Sequence, residues 1–184
     1  MSQEDLTLVE PSLAFGAAFW ALLEDFRAAG EIHHVHGSGA VSELATLARE
    51  ALPDFIRQLN ERSRGIGLPP GYVPDSSFWL VRRSDGAVVG VSNLRHGLTP
   101  VLEDVGGHIG YSIRPAERRK GYGTSILALT MEKARAQGLI QVLVTCDTDN
   151  LGSARVIEKN GGVLASSGFS ARSGTHVSRY WIAL

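Results

Sequence analysis

The stretch that most restricts the fold lies between His108 and Cys146, where the chain reads strand, tight basic turn, helix, strand. The first strand is 108–113, His108-Ile109-Gly110-Tyr111-Ser112-Ile113. The helix is predicted from Thr124, with Ile126, Leu127, Thr130, Met131 and Ala134 on one face and Gly138 as its stop. Residues 140–146, Ile-Gln-Val-Leu-Val-Thr-Cys, are nearly continuously apolar, as in a strand covered on both faces. A strand, a helix and a second strand of this length make a right-handed crossover between parallel strands.

Between the first strand and the helix lies Arg118-Arg119-Lys120-Gly121-Tyr122-Gly123. A helix N-terminus leaves about four backbone N–H groups without partners and carries a partial positive charge. Phosphate oxygens satisfy both needs. Gly121 and Gly123 are expected to admit a close backbone approach and positive φ, and Arg118, Arg119 and Lys120 add charge at the mouth. The turn therefore reads as a pyrophosphate cradle. It is not an ATP-type loop, because no Gly-Lys-Ser/Thr run occurs in the chain. Nor is it a dinucleotide fingerprint, because Ile126 stands where the third glycine would be.

The remaining segments supply a frame for this unit. Leu6–Val9 is a short strand, and a helical pattern runs from Ser12 to Gly30. Residues 41–62 form one or two helices with Pro53 at a break or a fresh start. A Gly/Pro loop covers 65–74. Strands at 78–82 and 87–94 flank Ser84-Asp85-Gly86, a hairpin turn, and a polar loop leads on to Gly106-Gly107. After Cys146, Asp149 or Asn150 caps a helix that ends near Asn160, and 163–165 and 176–182 form a closing antiparallel pair.

At 184 residues the chain is expected to be a single domain, 1–184. Its net charge of −1 provides no general field for nucleic acid, and the basic patch lacks interleaved aromatics beyond Tyr122. One cysteine precludes an internal disulfide and suits a reducing compartment. No basic leader or membrane-length apolar run is present, so the expected location is the cytoplasm. His33-His34-Val35-His36 is read as a polar loop, with no metal site, because no further ligands stand at metal spacing nearby.

The run 108–115 followed by Arg118-x-x-Gly121-x-Gly123 resembles the acyl-coenzyme A motif of the GNAT superfamily of N-acetyltransferases. Asn150 to Ala154 and Glu158 to Gly162 are similar to that family's second block. The likeness is strongest over 108–162, and the whole is most similar to a bacterial branch known only as predicted acetyltransferases. The resemblance implies an α/β (α+β) fold: a mixed, mostly antiparallel sheet with a central splayed parallel strand pair and flanking helices. Acetyl-CoA would lie between 108–113 and 140–146 as co-substrate. The resemblance places the pyrophosphate on backbone amides from Arg119 to Thr124, and the pantetheine arm and thioester along Ser112, Ile113 and Arg114. Asn150 and Ser153 match positions that contact the coenzyme A arm.

Attack of an amine on a thioester builds negative charge on the carbonyl oxygen, and a fixed N–H, that of Ile113, would stabilise it. Holding both substrates in one cleft needs no enzyme nucleophile, so Cys146 is read as a buried strand residue. One departure stands out. The family's tyrosine that protonates the leaving thiolate falls on Ile157, which leaves Tyr111 and Tyr180 as candidate acids. His108 is the candidate base, or else a residue that only packs at the strand start, with Glu103 and Asp104 behind it. The missing tyrosine also leaves open a coenzyme A-binding regulatory or sensing module with little catalysis. The acceptor amine (small molecule or peptide), the choice between monomer and homodimer, and acyl groups other than acetyl are not legible.

Overall fold

The computed structural model describes residues 5–35 and 41–184. Seven strands and six α-helices follow one another in these segments. Four strands form one antiparallel sheet in chain order: β1 (Leu6–Val9), β2 (Asp75–Arg82), β3 (Val88–Arg95) and β4 (Ile109–Ile113). Three form a second: β5 (Gln141–Asp147), β7 (Thr175–Ala183) and β6 (Val163–Ser170), in that spatial order. The helices are α1 (Gly16–Ala28), α2 (Val41–Thr46), α3 (Leu52–Arg62), α4 (Pro100–Asp104), α5 (Tyr122–Ala136) and α6 (Leu151–Lys159).

The first sheet is covered on both faces, which is why β2 and β3 are almost wholly buried. On one face Trp79, Val81, Val88 and Val91 pack against Phe19, Phe26, Phe55 and Leu59 of α1 and α3. The Trp79 and Phe19 rings stack with centroids 4.2 Å apart. On the other face Leu80 and Val89 meet Tyr122 and Ile126 of α5. A third cluster joins the sheets: Phe78, Leu94 and Ile109 pack with Leu127 and Met131, Val142 and Val144, and Ile157 of α6.

The expected α+β fold with mostly antiparallel strands and flanking helices is present; its hydrogen bonds divide the strands into two sheets, and every ladder within them is antiparallel. The crossover from β4 through α5 to β5 is present, and a cleft is lined by the C-terminal half of β4 and by residues from Asn150 onward, three positions after β5 ends. The backbones of the two strands meet at His108, whose N–H donates to the Leu143 carbonyl at 2.7 Å, and then diverge.

Other boundaries shift for local reasons. Pro53 sits in the first turn of α3, where its missing N–H costs nothing, so it starts a helix. The polar loop near 100 contains α4, whose first turn is capped by Thr99 Oγ1 accepting from the Leu102 N–H at 3.3 Å. The strand expected at 163–165 runs on to Ser170, since β6 is a sheet edge exposed along most of its length and shows no apolar alternation. The histidine run at 33–36 ends at His36, outside the described residues. Among the described residues no three His, Cys, Asp or Glu side chains gather to hold a metal, and no helix is long and apolar enough to cross a membrane.

Candidate active site

A cleft of about 730 Å³ opens where β4 and β5 part. One wall is Tyr111, Ser112 and Ile113. The floor of its mouth is formed by Arg118, Arg119 and Gly121 to Thr124, and the far wall is Asn150, Ser153 and Val156 at the start of α6; Lys120 does not line it.

The ladder between β3 and β4 fixes which groups point into this gap. The Arg114 N–H donates to Val89 O (3.0 Å) and the Arg95 N–H to His108 O (2.8 Å). With Val91 opposite Ser112 and Asn93 opposite Gly110, those two pairs carry the hydrogen bonds of the ladder. The N–H groups of Tyr111 and Ile113 then face away from β3, toward the cleft. The carbonyl of Ile113 faces the same way, since it accepts from Arg118 Nε at 3.2 Å. Ile113 is seated by Gly90: a Cβ there would lie 2.8 Å from Ile113 Cδ1.

At the mouth, Gly121 is the N-cap of α5 with φ +88, and no acidic side chain occupies the first turn. Arg119 also has positive φ, +67. The backbone N–H groups of Arg119, Lys120, Gly121, Tyr122 and Gly123 have no hydrogen-bond acceptor among the described residues. Consecutive unpaired N–H groups in alternating left- and right-handed backbone form an anion-binding concavity. The helix dipole adds to it.

Two expected roles in this turn are corrected. Gly123 is helical and needs no positive φ. Its missing side chain lets α5 pack on α6, because a Cβ would stand 3.1 Å from Val156 Cγ2. Tyr122 presents only backbone to the cleft; its ring is 2% exposed in the core, and its hydroxyl accepts from Arg82 Nη1 at 2.9 Å. The charged side chains already have partners. Arg114 is bound to Asp25 at 2.5 Å, Arg118 to Glu31 through both terminal nitrogens, and Lys120 to Glu117 at 2.8 Å. Arg119 is exposed and has no ion pair among the described residues.

On the far wall Asn150 caps α6, its Oδ1 accepting from the Ser153 N–H at 3.0 Å. Ser153 Oγ lies 2.9 Å from the Tyr111 hydroxyl. Burial pushes the Tyr111 phenol up to about 12, with the Ser153 bond opposing, so it stays protonated and can donate. Beneath them Cys146 is buried, as expected for a strand residue, and burial pushes its thiol up. Ile157, at the position of the family tyrosine, is fully buried between α6 and the second sheet.

The acid–base candidates separate clearly. Tyr111 lines the cleft, whereas Tyr180 is packed in the core cluster with Val144 and Ile157. His108 cannot act as the base. It is 6% exposed, and its Nδ1 accepts the Leu143 N–H at 2.9 Å. That bond places the ring proton on Nε2 and leaves no lone pair to take another. Burial, and then the Arg95 charge, push its pKa down. Asp104 is held by Ser170 and by Arg179 at 2.6 Å, with the Ser170 bond first in keeping its carboxyl below the ordinary value. Glu103 is exposed outside the cleft.

The anion cradle at the helix mouth is thus continuous with the slot between two diverging strands. A family model described as an acetyltransferase (GNAT) domain matches residues 57–163, more than half of the chain, and the chain belongs to that family. No curated protein matches it by sequence. Solved structures similar to it in fold include RimL, a ribosomal L7/L12 α-N-protein acetyltransferase in complex with coenzyme A (15% identity, 98% of this chain and 94% of that one, TM-score 0.67). The microcin C7 self-immunity acetyltransferase MccE, in complex with acetyl-CoA and AMP, is 14% identical over 98% of this chain and 93% of that one, with TM-score 0.69. RimJ of Mycobacterium smegmatis, in complex with CoA-disulfide, is 15% identical over 97% of this chain and 81% of that one, with TM-score 0.71.

Proposed function

We propose that this chain is a cytoplasmic acetyl-CoA-dependent N-acetyltransferase, one domain spanning 1–184, that passes the acetyl group directly to an amine in a ternary complex. The observation that carries the reading is the row of unpaired N–H groups from Arg119 to Gly123 at the end of the slot between β4 and β5. The pyrophosphate would lie on that row, with Thr124 beside it and Arg118, Arg119 and Lys120 around it. The pantetheine arm would follow Ser112, Ile113 and Arg114 on one side and Asn150 and Ser153 on the other. The Ile113 N–H then faces the thioester carbonyl, where it stabilises the oxyanion without reorganising. The amine nitrogen bonds to the carbonyl carbon as the carbon–sulfur bond breaks, and the proton that the amine sheds passes to the departing thiolate, to which Tyr111, paired with Ser153, donates a hydrogen bond in place of a residue at 157.

The acceptor is an amine on a small molecule or a peptide. Proteins of similar fold include an enzyme that modifies the N-terminal serine of ribosomal protein L7/L12, a ribosomal-protein-S5-alanine acetyltransferase and a self-immunity acetyltransferase, so both classes belong in a screen.

Calorimetric titration with acetyl-CoA, coenzyme A and ATP tests the cradle. Binding of the two coenzyme A species without ATP is expected, and absence of both would end the reading. Release of free thiol with any amine in a library then separates an enzyme from a module that only senses coenzyme A.

A further inference from the structure

The vertex of the splayed pair is built in an unusual way. In a regular parallel ladder a residue gives its carbonyl to one neighbour on the adjacent strand and its N–H to another, two residues earlier. Leu143 gives both to His108. Its carbonyl accepts the His108 backbone N–H at 2.7 Å, and its N–H goes to the imidazole Nδ1 at 2.9 Å. The backbone group that would have taken the Leu143 N–H is the Gly106 carbonyl. That oxygen is held by Arg95 Nη1 at 2.9 Å, and the same nitrogen takes Gly107 O at 3.0 Å. The ring therefore replaces a carbonyl that Arg95 has drawn aside.

The next rung is also blocked. The His108 carbonyl accepts from the Arg95 N–H, Gly110 is paired with Asn93, and Thr145 Oγ1 is taken up by the Gly106 N–H at 2.9 Å. The strands are joined by one rung and then must part. Gly107, with φ +62, allows the approach, because a Cβ there would lie 2.4 Å from Leu143 O. The Trp181 ring holds the imidazole edge-on, centroids 6.2 Å apart.

We infer that His108 is a positioning residue: its imidazole, standing in for a backbone carbonyl, sets the angle at which β4 leaves β5 and so the place of the Ile113 N–H in the slot. The lever is long. Five residues of strand span about 16 Å, so a change of ~10° at the vertex moves Ile113, together with the β3–β4 ladder that holds it, by about 3 Å relative to β5. A misplacement of ~1 Å is already enough to cost about a hundredfold in a reaction that depends on orientation. The cradle at the start of α5 makes no contact with the His108 rung and is held by packing of Tyr122 and Ile126 on Leu80 and Val89 and of Gly123 on Val156. The vertex should therefore act on the thioester half of the coenzyme and leave the phosphate half alone. This rests on the acyl-coenzyme A reading of the cleft.

The test compares His108→Asn, His108→Gln and His108→Leu by calorimetry with two probes, acetyl-CoA and adenosine 3′,5′-diphosphate. Asn Oδ1 stands the same number of bonds from Cα as His Nδ1 and can accept the Leu143 N–H, whereas Gln Oε1 is one bond too far and Leu accepts nothing. Expected are a tenfold or greater rise in the acetyl-CoA Kd for H108Q and H108L, an unchanged Kd (within twofold) for the diphosphate, and near wild-type values for both probes in H108N. Should H108L fail to fold, H108Q against H108N carries the comparison. Acetyl-CoA affinity unchanged in H108Q, both probes weakened in parallel, or H108N behaving as H108Q would overturn the inference. A wild-type protein that binds neither probe would instead remove the coenzyme A reading itself.

Discussion

The two ends of the β4–β5 pair use the same residue types for opposite ends. At the vertex, glycine is required by lack of room: Gly107 has the Leu143 backbone where its Cβ would be. At the mouth, Gly121 has no atom within 4 Å of that position and is required only by its φ of +88. The basic residues divide in the same way. Arg95 is half-buried and spent on the carbonyls of Gly106 and Gly107, while Arg119 is exposed with no ion pair among the described residues. At the vertex the polar groups have found partners inside the protein. At the mouth a row of N–H groups has not, and unpaired donors beside positive charge are what a ligand supplies acceptors for. Satisfaction of polar groups, more than residue type, separates a structural glycine-basic cluster from a binding one.

The largest expected effect tests the crowded end. Gly107→Ala should lose at least about 3 kcal/mol of stability in urea denaturation, since the clash is with backbone and cannot be relieved by a side-chain rotation. A loss below about 1 kcal/mol would mean that the vertex has slack and would break the comparison. Gly121→Ala should behave differently. The left-handed conformation costs a residue with a Cβ about 1–2 kcal/mol. If the turn relaxes instead, the N–H row is rotated, so the acetyl-CoA Kd should rise about tenfold or more by calorimetry. Equal stability losses for the two variants would erase the distinction between the ends.

A smaller effect is expected within the slot. Tyr111→Phe should lower kcat several-fold with an amine that turns over, while the acetyl-CoA Kd stays within twofold. Removing one hydrogen-bonded hydroxyl costs about 1 kcal/mol. A kcat equal to wild type would leave the thiolate departing unassisted.

The smallest effect is a pH dependence at the closed end. His108 and His96 both have pKa values lowered from 6.5, in each case first by burial. The unfolded chain then binds more protons than the folded one as pH drops through 6.5, so stability is full above that value and declines as pH falls below it. Urea midpoints should fall from pH 7.5 to pH 5, and less steeply in H108N. The depressed carboxylates Asp104 and Glu117 act lower, below their ordinary values of 3.8 and 4.5. A midpoint flat over that window would show that the ring exchanges its proton without disturbing the rung.

Much of this arrangement was readable in the chain. The crossover at 108–146 follows from an apolar run too continuous for a half-exposed strand. The hairpin at Ser84-Asp85-Gly86 and the Asn150 cap are local chemistry, decided within three or four residues. The cradle was legible because Gly121 and the helix after it define its N–H row almost alone. Other features were not. The left-handed φ of Arg119 has no residue-type signal. Gly123 looked like a phosphate-approach glycine because its neighbour Val156 lies thirty-three positions away. The acids that clasp the mouth, Asp25 and Glu31, come from the far end of α1 and the turn after it.

His108 shows the boundary most clearly. By residue type and position it was a fair candidate base. The sequence by itself determined that an ionisable ring stands at the start of the splayed strand, that a parallel crossover follows, and that a helix N-terminus faces a basic, glycine-spaced turn. Those properties depend on periodicity and on near neighbours. Tertiary structure decided which ring nitrogen was free, which carbonyl Arg95 would occupy, and where β4 and β5 would part. Each of these depends on a partner 11 to 35 residues distant in the chain, and hydrogen-bond geometry between such partners exists only once both segments are in place.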